Sequence, residues 1–266
     1  MSDRLHSVFE RLREEGRKAF VAYIAAGDPG FDQSLEVMQA LAGLGADIIE
    51  LGLPFSDPLA DGIVNQMAAE RALRGGMTTA KVLDLIREFR KGHDTPLVLF
   101  TYLNPVFQYG FEKFHEDASA AGADGILLLD LPPDETSLGI DESRCGGLKR
   151  IRLIAPTTPP ERIARLAGSA EGFVYALSRT GVTGMHGGPA ADIGSFVSLI
   201  KRHATVPVCV GFGISTPEQA AVVAREADGV VVGSALVKRI ESDPGNAADA
   251  VSRLAAPMIE AVKAVG

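Results

Sequence analysis

The residue best placed to do chemistry is Glu50, a carboxylate inside the apolar run Asp47-Ile48-Ile49-Glu50-Leu51-Gly52-Leu53-Pro54. Near the C-terminal end of a buried strand, burial disfavours its ionised form and raises its pKa toward the range useful for proton transfer. Spacing alone equally allows a glutamate that pairs with an arginine of the core or faces outward. Asp57 and Asp61 follow in Ser56-Asp57-Pro58-Leu59-Ala60-Asp61-Gly62. Either can serve as a loop cap. A second acidic group near Glu50 also suits a site that moves a proton and holds a developing positive charge.

Two glycine clusters lie farther along the chain. Gly211-Phe212-Gly213-Ile214-Ser215 follows one apolar run, and Gly233-Ser234-Ala235 follows the next and opens a helix. Either alone reads as turn glycines, and Gly-Phe-Gly lacks the third glycine of a dinucleotide fingerprint. At the ends of two successive strands they match a phosphate site built from backbone N–H groups and a helix N-terminus. Arg179-Thr180-Gly181-Val182-Thr183-Gly184, with His186-Gly187-Gly188-Pro189 after it, reads as a hinged lid or as a flexible surface loop. Tyr23, Phe100, Leu127, Ile154, Tyr175 and Phe212 fall near strand ends and together suit an apolar pocket, although each taken singly reads as ordinary core.

The lysines (Lys18, Lys81, Lys91, Lys113, Lys149, Lys201, Lys238 and Lys263) fall outside the strand runs, so no Schiff-base lysine is expected at a strand end. The five histidines (His6, His93, His115, His186 and His203) have no paired ligand spacing and read as surface or loop residues, and no metal is expected. Carbon–carbon cleavage in such a site needs the substrate itself as electron sink, with carboxylates moving protons.

Elements able to position these groups recur along the chain. Runs rich in aliphatic residues occupy Phe20 to Ala25, Asp47 to Leu53, Pro96 to Tyr102, Asp124 to Asp130, Arg150 to Ala155, Gly172 to Ser178, Val206 to Phe212 and Asp228 to Gly233. Their apolar character is nearly continuous, as in parallel strands covered on both faces. Stretches of helical period alternate with them, such as Val82, Leu85, Ile86 and Phe89. Gly45-Ala46-Asp47 and Gly122-Ala123-Asp124 each join a helix to a strand, and Ala227-Asp228 does so without the glycine. The pattern predicts an α/β fold, a (β/α)8 TIM barrel, with residues 1–266 as one domain and an extra N-terminal helix over Arg4 to Glu15 closing its bottom. The longest connections, Pro54 to Thr95 and Arg179 to Thr205, follow the second and sixth strands and belong on the catalytic face.

Composition agrees. The 266 residues are 46% apolar and 23% charged, enough for a large core. The net charge of -8, with no basic block, argues against nucleic acid. Cys145 and Cys209 are the only cysteines, so no disulfide scaffold is indicated. No segment approaches the ~18 uninterrupted apolar residues of a membrane span, and a soluble, cytoplasmic protein is expected.

These motifs resemble the tryptophan synthase alpha subunit over the whole chain. The resemblance is carried by Gly27-Asp28-Pro29-Gly30, the stretch from Glu50 to Gly62, Asp130-Leu131-Pro132, Leu177 to Gly184, Gly211 to Ser215 and Gly233-Ser234-Ala235. It implies a lyase that splits indole-3-glycerol phosphate into indole and glyceraldehyde 3-phosphate by a retro-aldol reaction in tryptophan biosynthesis. It implies Glu50 as general acid/base, Asp61 as the holder of the indole N–H, and Thr183 as a hydrogen-bond partner of Asp61 in a closing lid that includes Arg179. Gly184, Gly213, Gly233 and Ser234 would bind phosphate, and Tyr23, Phe100, Leu127, Ile154, Tyr175 and Phe212 would face the indole.

The resemblance further implies a beta-subunit partner in an alpha2beta2 heterotetramer. That partner would carry pyridoxal phosphate, this chain would have no cofactor, and indole would pass between them through a tunnel. Pro54 to Leu59, Asn104 to Gly110 and Pro132-Pro133 are the expected docking surface. After Asp61-Gly62 the family usually has a proline, whereas this chain continues Ile63-Val64-Asn65-Gln66. Alternatives are a stand-alone indole-releasing lyase, a sugar-phosphate isomerase or epimerase on the same barrel, and a catalytically silent barrel that only activates a partner.

Overall fold

A computed structural model describes residues 3–132, 146–178, 189–211 and 213–265. Its strands are β1 (Ala19–Ala25), β2 (Ile48–Gly52), β3 (Leu97–Thr101), β4 (Gly125–Leu128), β5 (Lys149–Arg150), β6 (Arg152–Ile154), β7 (Val174–Leu177), β8 (Val208–Gly211) and β9 (Gly229–Val232). All pair in parallel, in the order β5-β4-β3-β2-β1-β9-β8-β7-β6. The fifth expected strand is thus divided at Ile151, with β5 paired to β4 and β6 paired to β7. Because Ile151 alone joins these pieces, and its N–H donates to the Ile126 carbonyl at 2.9 Å, the sheet closes on itself there. The fold is a (β/α)8 TIM barrel.

Side-chain alternation sorts each apolar run between two layers. Ala19, Val21 and Tyr23 of β1 face the barrel interior, while Phe20, Ala22 and Ile24 pack outward against helix residues such as Val37, Met38 and Leu41. The helix Arg4–Glu14, capped by Asp3, which accepts from the His6 N–H at 3.0 Å, lies under the barrel. Its Leu5, Phe9 and Leu12 join the interior cluster, and the Phe9 and Phe173 rings are 6.0 Å apart. Glycine admits this plug: a Cβ at Gly172, whose φ is +70°, would lie 3.0 Å from Leu5 Cδ1.

The aspartates of the helix-to-strand joints have a structural task at the same end. Asp47 donates its N–H to the Phe20 carbonyl, and its carboxylate accepts the Phe20 N–H, both at 2.9 Å. Asp124 makes the same reciprocal pair with Leu97, and Asp228 with Val208. Glu171, which follows no such sequence repeat, does the same for Arg150. A carboxylate at each place satisfies the first free N–H of the preceding strand.

Two expectations need correcting. Lys149 does not lie outside the strands; it opens β5, at the barrel end away from the proposed chemistry, where its Nζ is 3.0 Å from Asp3. His115 is no surface histidine: it is fully buried on the helix Phe111–Ala121, with Nδ1 2.7 Å from the Phe111 carbonyl oxygen. An imidazole hydrogen-bonded back to its own helix can be buried at modest cost.

Candidate active site

Glu50 is the third residue of β2, and alternation with Ile49 and Leu51, both in the outer layer, turns it into the barrel. It lies in register with Tyr23 of β1 and Val98 of β3. The carboxyl is fully buried, and neither oxygen has a hydrogen-bond partner among the described residues. Burial alone pushes its pKa up to about 8. At neutral pH Glu50 therefore carries its proton. The aromatic wall beside it is continuous, with Tyr23 edge-on to Phe100 at 5.2 Å and Phe100 to Tyr175 at 6.5 Å. The Tyr23 and Tyr175 phenols are raised well above their ordinary range, chiefly by burial and in part by the Glu50 charge.

Asp61 stands in the loop between β2 and the helix Ile63–Arg74. Its Oδ2 accepts the Tyr102 hydroxyl at 2.9 Å, and that hydroxyl oxygen accepts the Ala60 N–H, also at 2.9 Å. The Gln66 side-chain amide holds the Asp61 carbonyl at 2.8 Å. Burial raises the pKa of Asp61, while the Tyr102 hydroxyl and the Asn65 amide pull it back down. The helix starts at Ile63 directly after Gly62, so the chain reaches a helical start here without the family's usual proline.

Asp61 and Asn65 line a pocket with Tyr23, Phe100, Tyr102 and Ala69. Of the expected aromatic and aliphatic wall, Tyr23 and Phe100 border this pocket, and Leu127 and Tyr175 face the barrel interior. Ile154 does not. It is fully buried in the outer layer, because alternation on β6 turns its neighbour Leu153 inward instead. Phe212, Arg179, Thr183 and Gly184 lie outside the described residues. The sequence alone does not mark Tyr102 or Asn65 as a site residue. The only signal for Tyr102 was a hydroxyl ending an apolar run, and Asn65 showed only as part of the departure after Gly62.

The proposed phosphate groups stand at the ends of the last two strands. Gly213 adopts φ +72°, a conformation that side chains rarely take. Gly233 caps the helix Ser234–Ser242, and its carbonyl receives the N–H groups of Leu236 at 2.8 Å and Val237 at 3.1 Å. The N–H groups of Ser234 and Ala235 precede the first intrahelical bonds and point out of the helix end, where the dipole favours an anion. In the Gly27-Asp28-Pro29-Gly30 turn, buried Asp28 accepts two bonds from Arg71, at 2.9 and 2.8 Å. Arg71 also donates to Glu241 at 2.9 Å, tying the helix behind Asp61 to the Ser234–Ser242 helix. Among the described residues no group of three His, Cys, Asp or Glu side chains is arranged to hold a metal ion.

A family model described as "Tryptophan synthase alpha chain" matches residues 9–265. The chain belongs to the tryptophan synthase alpha chain family. A tryptophan synthase alpha chain of Opitutus terrae is 48% identical over 253 residues, 95% of each chain. The crystal structure of tryptophan synthase subunit alpha from Legionella pneumophila superposes with a TM-score of 0.88 at 38% identity, covering 98% of this chain and 99% of that one. A chain of tryptophan synthase from M. tuberculosis, in its aminoacrylate-bound form, gives 0.86 at 36% identity, covering 98% and 100%. As a tryptophan synthase alpha chain, this protein is a lyase of tryptophan biosynthesis that cleaves indole-3-glycerol phosphate to indole and glyceraldehyde 3-phosphate. The isomerase and silent-barrel readings fall away.

Proposed function

We propose that Glu50 and Asp61 divide the retro-aldol reaction between them. Protonated Glu50 donates its proton to C3 of the indole ring, and the positive charge that spreads to the ring nitrogen is held by the Asp61 carboxylate. The Glu50 carboxylate then takes the proton of the hydroxyl on the carbon attached to C3. A carbonyl forms there, the carbon–carbon bond breaks, and its electrons return to the ring. Indole and the aldehyde leave, and Glu50 is again protonated. The observation that carries this reading is the buried, unpartnered Glu50 carboxyl with a pKa of about 8. Such a group suits both the acid and the base step near neutral pH.

Gly184, Gly213, Gly233 and Ser234 would bind the phosphate. Arg179 and Thr183 would belong to a lid that closes over Asp61. Tyr23, Phe100, Leu127, Tyr175 and Phe212 would face the ring. A beta subunit, itself carrying pyridoxal phosphate, would complete an alpha2beta2 assembly. Exposed apolar side chains support docking near the pocket: Leu59 within Pro54 to Leu59, Phe107 within Asn104 to Gly110, and Ile63 and Met67 one turn apart on the next helix. We also propose that residues 1–266 act as one barrel domain, in keeping with the packing of the helix Arg4–Glu14 into the barrel bottom, and that the protein works in the cytoplasm.

The test is indole release by Glu50→Gln and Asp61→Asn, with and without the beta subunit. Glu50→Gln should lose ~10²- to 10⁴-fold in turnover. Asp61→Asn should lose turnover more than substrate affinity, because its contact strengthens as charge develops. Near-normal turnover in a folded Glu50→Gln protein would sink the assignment.

A further inference from the structure

We propose that Asn65 is a second acceptor for the indole N–H, sharing it with Asp61, and so a further catalytic residue of this enzyme. The proposal rests on the reading of Asp61 given above. Asn65 lies one helical turn beyond Asp61, and both side chains line the same pocket beside Tyr23, Phe100 and Tyr102. The amide of Asn65 acts on the Asp61 carboxylate as a hydrogen-bond donor, favouring its charged form. That contact uses the nitrogen. The oxygen, Oδ1, is buried and has no hydrogen-bond partner among the described residues.

A buried acceptor without a partner costs stability, and a satisfied one does not. The Tyr102 hydroxyl is already given to Asp61, and the Tyr23 hydroxyl, the other O–H in the aromatic wall, does not donate to it either. The bicyclic ring of the substrate has a single donor, its N–H, and needs it held where Asp61 stands. An N–H between the Asp61 carboxylate and Asn65 Oδ1 satisfies both acceptors. Both contacts strengthen when C3 is protonated and the nitrogen becomes positive, so Asn65 contributes mainly to turnover. A residue serving only the start of the helix would have no such preference.

The experiment compares wild type, Asn65→Leu, Asp61→Asn and the double variant in indole release from indole-3-glycerol phosphate, with thermal unfolding of each. Asn65→Leu should lower kcat about tenfold, the size of one hydrogen bond to a developing charge, and change KM less than threefold. Its Tm should not fall, because an unsatisfied acceptor has been removed. In the Asp61→Asn background, Asn65→Leu should lower kcat again. Asn65→Ala, which adds no volume, serves if the leucine variant does not fold and should show the same kcat loss. Unchanged kcat would overturn the proposal, as would a loss confined to KM, or no further loss in the Asp61→Asn background. Unimpaired Asp61→Asn would instead defeat the reading of Asp61 on which the proposal rests.

Discussion

The Tyr102 hydroxyl donates to Asp61 Oδ2 at 2.9 Å across a separation of 41 residues, and the same oxygen receives the N–H of Ala60. One phenol thus orients the carboxylate and its loop together, from a residue that is itself 5% exposed and packed against Phe55 at 5.4 Å. Tyr102→Phe keeps that ring contact and removes only the hydroxyl. Turnover should fall roughly tenfold, the cost of one hydrogen bond to a charged group. Tyr102 lowers the pKa of Asp61, so the acidic limb of the pH–rate profile should move to higher pH in the variant. A profile identical to wild type would mean that Tyr102 supports the loop and not the carboxylate.

Glu50 should make the protein less stable than it need be. The unfolded carboxyl titrates near 4.5, whereas in the folded protein its pKa is raised to about 8. Below the unfolded value both states hold the proton and nothing is lost. As pH rises from there toward 8 the unfolded state releases a proton that the folded state keeps, and stability declines with pH. At pH 7 the difference approaches ~3 kcal/mol. Glu50→Gln should therefore be the more stable protein at pH 7 and no more stable than wild type near pH 4.5, as read by urea unfolding. A gap that does not depend on pH would show that the carboxyl is not held neutral.

The pH dependence of turnover follows from the same two carboxylates. In the proposed mechanism Glu50 begins protonated, so activity should decline above about pH 8. Asp61 is proposed to hold the positive ring as a carboxylate, and because burial raises its pKa the acidic limb should lie above the ordinary aspartate range. Initial rates of indole release across pH give both limbs. Activity that continues to rise well past pH 8 would mean that the protonated form of Glu50 is not required.

At the proposed phosphate site, a Cβ at Gly233 would lie 3.3 Å from Tyr23 Cδ1 and 3.4 Å from its Cβ. A larger side chain there must displace either Tyr23 or the start of the Ser234–Ser242 helix. Gly233→Val should weaken binding of glycerol 3-phosphate at least tenfold and raise KM for the substrate in parallel, a comparison made by calorimetry and initial rates. Unaltered affinity for glycerol 3-phosphate would place the anion elsewhere.

The amino-acid sequence by itself determined the alternation of strands and helices, the plug helix, the placing of Glu50 within a buried run and the glycines at the last two strand ends. These are local properties: apolar period, turn chemistry and a carboxylate with no polar neighbour in its own strand. Only the tertiary structure decided which side chains meet. Tyr102 reaches Asp61 because the strands that lead to them are parallel and side by side, a pairing that no spacing along the chain records. The direction of each side chain follows the pleat of its strand, so Leu153 faces the interior while Ile154, equally apolar, packs outward. Glu171 clamps Arg150 of the preceding strand as Asp47, Asp124 and Asp228 clamp theirs, although its own stretch of chain lacks the repeat that marks the aspartates. Residue type and local pattern select the element, whereas the neighbours of a side chain depend on the closure of the whole sheet.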